Sequence, residues 1–206
     1  CAGLAGSVPS DLFAGIQGEP SDSLYESTFE GCAGISGEVP ENLFASIVGA
    51  PVEHLFDGTF YGCYSMKTVP AGLFASISGE PAEAMFYQTF YNCYNLTELP
   101  ENLFATIKGA PAASMFKQAF YNCDGLTSVV IGENVTSIGE RAFYNCSSLA
   151  SITIPERVTS IGFATFYGCS NITSINIPNN VTSIGAWAFS HCTSLTSINI
   201  PDSVTS

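Results

Sequence analysis

The sequence predicts an α/β repeat solenoid: a right-handed coil with a parallel β-sheet on its concave side. Helices are expected on the other side in one half of the chain, and short strands and turns there in the other. Three observations predict it. Cysteines recur at Cys1, Cys32, Cys63, Cys93, Cys123, Cys146, Cys169 and Cys192, spaced by 31, 31, 30, 30, 23, 23 and 23 residues. An aromatic pair precedes most of them, as in "TFYNC" at 89–93 and "AFYNC" at 119–123 and 142–146. Apolar alternation follows them, as in Leu149, Ile152 and Ile154, which is the pattern of a strand. A unit of this size cannot bury an apolar face alone, whereas stacked copies share one core.

Two repeat classes make up one continuous solenoid. Residues 1–134 hold acidic units of 30 or 31 residues, such as "VPENLFASIVGAPVEHLFDGTFYGCYSMKT" from Val39, and residues 135–206 hold 23-residue units, such as "VTSIGERAFYNCSSLASITIPER" from Val135. In the short units the run after each cysteine reads as a strand that proline ends, and "VTSIG" reads as a second strand. In the long units the first strand shrinks to runs such as "LTELP". "PENLFA" then sets proline at a helix's first position with an acid beside it. Gly49, Gly79 and Gly109, each followed two residues later by proline, read as the stop of that helix and the start of another. Strands stack about 4.8 Å apart and helix axes about 8–10 Å apart. That mismatch is expected to curve the long-repeat half with its sheet inside and leave the other half straighter. The chain opens at Cys1, inside a repeat, and closes on "VTS", so it reads as a fragment of a longer array. Uncapped ends are expected to permit end-to-end contacts between copies.

Phenylalanine and cysteine three residues apart share one face of a turn. Phe29, Cys32, Phe60, Cys63, Phe90, Cys93, Phe120, Cys123, Phe143, Cys146, Phe166, Cys169, Phe189 and Cys192 are therefore expected to be interior rungs, the cysteines acting as small apolar fillers. Equivalent side chains point the same way, which argues against disulfides. A zinc site wants two cysteines a few residues apart, and here none are closer than 23. His191 adjoins Cys192, but neighbours on a turn face apart, so no thiol nucleophile is expected. Dinucleotide, phosphate-loop, serine-hydrolase and zinc-protease signatures are all missing from the sequence. The chain is expected not to be an enzyme, with no catalytic residue, metal or cofactor.

Charge narrows the partners. Residues 1–134 carry 15 acids against 3 bases, and residues 135–206 carry 3 against 2, out of a net charge of −13. Nucleic acid and anionic membrane surfaces demand basic patches, so neither is expected as a partner. No run approaches the ~20 apolar residues that span a bilayer, so no membrane insertion is expected. Glu41, Glu101, Glu156 and Asp202 follow prolines, where an acid suits the start of an element. Two exposed columns can bind a macromolecule. One is the outward strand face: Glu38, Thr68, Glu98, Ser128, Ser151, Ser174 and Ser197, beside Val130, Thr153, Asn176 and Asn199. The other is a tyrosine column, Tyr61, Tyr91, Tyr121, Tyr144 and Tyr167, whose rings can anchor contacts or pack between repeats.

The "VTSIGxxAFxxCxxLxSIxIP" pattern of Val135–Pro155, Val158–Pro178 and Val181–Pro201 resembles the BspA-like leucine-rich repeats of bacterial surface proteins. The longer units resemble a variant of it, with Ser190 and His191 replacing the Tyr-Asn pair in the last unit. The resemblance implies a leucine-rich-repeat coil that is extracellular or on the cell surface. It also implies a non-catalytic role in adhesion or protein binding, towards proteins or glycans of host or neighbouring cells. The rival reading is a structural spacer or stalk that displays another domain.

Overall fold

In a computed structural model of the chain, residues 4–108, 112 and 114–206 are described. Their strands are short and every pairing is parallel, as stacking of like on like requires. The first column holds β1 (Ala5–Gly6) and β2 (Gly34–Ile35), then β3 (Ser128–Val130), β5 (Ser151–Thr153), β7 (Ser174–Asn176) and β9 (Ser197–Asn199). The second holds β4 (Ser137–Ile138), β6 (Ser160–Ile161) and β8 (Ser183–Ile184). In the short repeats each strand meets its own copy one unit on, with Ser128 opposite Ser151, Ser160 opposite Ser183 and Ser174 opposite Ser197. In the long repeats the columns thin to single bridges, Gly18 to Ile47, Gly49 to Ile77, Gly79 to Ile107 and Glu98 to Ser128.

The third side corrects the helix expectation: among the described residues there is no α-helix. The segments around Phe-x-x-Cys are chains of tight turns in which amides alternate between two kinds of acceptor. Tyr61 N–H donates back three residues to Gly58 C=O, while Phe60 and Gly62 N–H donate to Thr89 and Tyr91 C=O of the next repeat. The same bonds run from Phe29 to Thr59, Phe90 to Ala119, Phe120 to Ala142, Phe143 to Thr165 and Phe166 to Ala188, all at 2.8–2.9 Å. "PENLFASI" forms turns likewise, with Leu43, Ala45 and Ile47 N–H donating to Pro40, Asn42 and Phe44 C=O. A helix about 10 Å across cannot stack at strand spacing, whereas a turn ladder can. The mismatch expected to curve the long-repeat half is therefore removed. Gly49 and Gly79 sit in the bridge column, not at helix stops, and Gly109 lies outside the described residues.

The ladder needs left-handed backbone at every fourth position, for example Ala84, Gln88 and Asn92, with φ of 49°, 51° and 59°. Non-glycine residues there carry strain, which side-chain ladders offset. Gln88 donates to Gln118 Oε1 and Asn122 to Asn92 Oδ1, both at 2.9 Å.

Inside the coil, the rings of Phe29, Phe60, Phe90, Phe120, Phe143, Phe166 and Phe189 stack at 5.2–5.7 Å with planes within 11°. All are buried except Phe189, which is partly buried. The long repeats add two more columns, Phe13–Phe44–Phe74–Phe104 and Tyr25–Phe56–Phe86–Phe116. Cys32, Cys63, Cys93, Cys123, Cys146, Cys169 and Cys192 are buried free thiols, whereas Cys1 lies outside the described residues. They do more than fill space. Cys63, Cys93, Cys123, Cys146, Cys169 and Cys192 each donate Sγ–H to the carbonyl of the phenylalanine one repeat back, at 3.1–3.2 Å.

Close stacking also explains the glycine of "VTSIG". A Cβ on Gly162 would stand 2.7 Å from Glu140 N and 2.8 Å from Gly139 C, both backbone atoms that cannot step aside. Around Gly15 nothing lies within 4 Å. Denaturant unfolding of Gly162→Ala is expected to show a loss of about 1–3 kcal/mol through overpacking, and Gly15→Ala a change within about 0.5 kcal/mol. Equal effects at the two positions would contradict the close approach.

Candidate functional site

The first strand column builds an outer face. Residues alternate in and out along each strand, so Val129, Ile152 and Ile175 go to the core while their neighbours face water. Glu38, Thr68, Glu98, Ser128, Val130, Ser151, Thr153, Ser174, Asn176, Ser197 and Asn199 are all exposed. The register sets like beside like, Val130 opposite Thr153 and Asn176 opposite Asn199. A threonine row borders this face, with Thr127 Oγ1 donating to Thr97 C=O and Thr196 Oγ1 to Thr173 C=O. The result is a shallow polar lattice with one repeat per step.

On the turn side, Tyr61, Tyr91, Tyr121, Tyr144 and Tyr167 form one half-buried stack. Neighbouring centroids are 4.5–4.7 Å apart and planes lie within 4° of parallel. His191 closes it, 4.8 Å from Tyr167. Ring faces inside the stack are thus taken by other rings, and only edges and hydroxyls meet solvent. Desolvation, with the neighbouring phenols adding to it, pushes the Tyr91 hydroxyl up to about 12. A second, shorter stack, Tyr64 on Tyr94 at 5.2 Å, runs beside it.

The other reactive groups are spread out. Burial foremost pushes the Cys63 thiol up to about 12 and Cys192 up to about 11, so both are neutral at physiological pH. Among the described residues no three His, Cys, Asp or Glu side chains converge in a way that could hold a metal ion. Among the described residues no helix is long and apolar enough to cross a membrane. Where the long-repeat rings Phe104 and Phe116 meet the first short repeat, a cavity of about 40 Å³ remains, also lined by Val129, Val135 and Ile138. It is far smaller than the roughly 300 Å³ at which small-molecule pockets begin.

One pair escapes a reading by repeat columns. His54 Nδ1 lies 2.8 Å from Asp57 Oδ2, brought there by the left-handed turn at His54, φ 54°. The only sequence signal is a histidine and an aspartate three residues apart. The hydrogen bond to Asp57 is the main force raising the His54 pKa. Asp57 is also raised, because desolvation outweighs that bond, and its side chain is only 14% exposed.

Residues 113–206 match the model of the BspA type leucine rich repeat region, in six copies. The long repeats before residue 113 are bonded to the matched region by the same ladder, Phe90 N–H donating to Ala119 C=O. Among solved structures, a leucine-rich-repeat protein of T. pallidum is 27% identical with a TM-score of 0.50, covering 65% of this chain and 57% of its own. The chain therefore spans little more than half the length of that relative. One from Eubacterium ventriosum is 18% identical with a TM-score of 0.54, covering 87% of this chain and 58% of its own, and shares the fold. A leucine rich cell surface protein of Faecalibacterium prausnitzii is 20% identical with a TM-score of 0.40, covering 84% of this chain and 68% of its own. No curated protein matches the chain significantly.

The His54–Asp57 pair gives a pH signature. A histidine pKa raised above its ordinary 6.5 contributes stability that is complete below 6.5 and lost as pH rises through the folded value. Asp57, also raised, adds in the same direction at lower pH. NMR titration is expected to place the His54 midpoint above 6.5, and Asp57→Asn to lower it; a wild-type midpoint at or below 6.5 would contradict the pair.

Proposed function

We propose that the chain is a non-catalytic binding or adhesion module of a secreted or cell-surface bacterial protein, and that its strand face is the docking surface. The carrying observation is the lattice itself. Eleven outward positions from Glu38 to Asn199 are exposed; the eight from Ser128 to Asn199 lie on short strands in parallel pairs, and Glu98 is bridged to Ser128. A rigid face pays little ordering entropy on binding, and a repeated polar pattern suits extended partners, such as proteins or glycans of a host or neighbouring cell. The BspA-type match supports the surface setting, and the high pKa values of the thiols support a role without chemistry.

A second reading has its own support. The face carries Ser, Thr and Asn but no Trp, Tyr or Arg, the residues that dominate binding hot spots. That favours a spacer that holds another domain at a distance. A panel of extracellular-matrix proteins and glycans, assayed against the purified chain at two salt concentrations, separates the two. Docking on the strand face predicts at least one partner whose affinity falls more than about tenfold in the double variant Ser151→Arg/Ser174→Arg. Both positions are exposed, so the melting temperature should hold. Absence of any partner, or a variant that binds like wild type, would contradict docking on this face and leave the spacer reading.

A further inference from the structure

The two tyrosine tracks share a boundary. Both begin in the second repeat, at Tyr61 and Tyr64, because the first repeat has Glu30 and Ala33 at the equivalent places. Each ring is covered on one side, Tyr61 by Tyr91 and Tyr64 by Tyr94, and among the described residues no aromatic ring covers the other side. Tyr64 is 42% exposed. The floor is backbone. Gly31 is exposed with nothing within 4 Å of its Cβ position, and the Tyr64 ring lies across Gly62, 3.6 Å from the Cβ that glycine lacks. Glu30 is exposed, and among the described residues no cation pairs with it. Its charge helps raise the Tyr61 hydroxyl, after desolvation.

An aromatic face is the negative side of the ring's quadrupole. A carboxylate beside two faces that no other ring covers therefore leaves three features of one sign, uncompensated. The chain shows what answers such an arrangement. In the short repeats the Arg141 guanidinium bonds the Glu140 carboxylate and lies 4.8 Å from the centroid of Phe163. The first repeats have the carboxylate and the rings without the cation. We propose that this notch binds a guanidinium group, the arginine side chain of a partner protein, seated on Tyr61 and Tyr64 and paired with Glu30. Guanidinium is planar, sheds water more readily than an ammonium and can stack while forking onto a carboxylate. The surrounding 134 residues, with 15 acids to 3 bases, draw a basic partner and repel an acidic one. The notch is on the turn side and does not depend on the strand face.

The test is calorimetric titration of the full chain with a Gly-Ser peptide bearing a central arginine, against the same peptide with neutral citrulline and against arginine amide alone. The arginine peptide is expected to bind, with its citrulline twin at least about tenfold weaker. Glu30→Gln and Tyr64→Ala are each expected to weaken it about three- to tenfold, whereas Glu38→Gln on the strand face should change it less than about twofold. Tyr64 is exposed, so Tyr64→Ala should fold, and Glu30→Gln tests the notch independently. No binding of the arginine peptide overturns the proposal, as does equal weakening by Glu30→Gln and Glu38→Gln, which would mean diffuse acidity. Equal affinity for free arginine amide overturns the protein partner, since the site would then take a small cation.

Discussion

The structure depends on backbone hydrogen bonds that pass from each repeat to the next on every side of the coil, not on the strands alone. Phe60 N–H reaches Thr89 C=O on the turn side, as Ile131 N–H reaches Thr153 C=O on the strand side. Once both sides are bonded, the rise per repeat is one strand spacing everywhere. Ring stacks at 4.5–6.1 Å, thiols that reach the phenylalanine carbonyl one repeat back, and a glycine where two backbones nearly touch all follow from that rise. Deep burial of the cysteines is part of the same constraint. A thiol fits the narrow step, fills it as an apolar group and still satisfies a carbonyl.

Much of this was legible because stacking repeats a requirement. The cysteine period gave the repeat, Phe-x-x-Cys gave the interior rungs, and Ser-Ile-x-Ile gave the first strand column. The helices were misread for a definite reason. In "PENLFASI" the residues Leu43, Phe44 and Ile47 are buried, and spacings of three and four point inward in a turn ladder as they do in a helix. Before each cysteine the distinguishing feature is left-handed backbone at every fourth residue. That feature is visible where glycine or asparagine occupies it, as at Gly62, Asn92, Asn122, Asn145 and Gly168, and hidden where Gln88, Arg141 and Trp187 do. The thiol hydrogen bonds were also hidden, since sequence cannot separate a donor from a filler when both must be small.

The surfaces follow from the same rise. Tyrosines one strand spacing apart lie face to face, so a column that reads as a row of anchors presents edges for most of its length. Among the described residues, a face that no other ring covers remains where the column starts, beside Glu30. On the strand face the same spacing makes a lattice of small polar groups, broad but without a dominant anchor. The contrast between acidic long repeats and nearly neutral short ones adds an electrical direction along one continuous ladder. Function in such an array is set less by any one side chain than by where a column begins, ends or changes residue.

The most direct test of the inter-repeat ladder is NMR detection of scalar couplings across hydrogen bonds on the isotopically labelled chain. The account predicts couplings from the amides of Phe60, Phe90 and Phe120 to the carbonyls of Thr89, Ala119 and Ala142, each in the following repeat. Couplings from those amides to carbonyls four residues back in their own repeat would mean helices, and would contradict it.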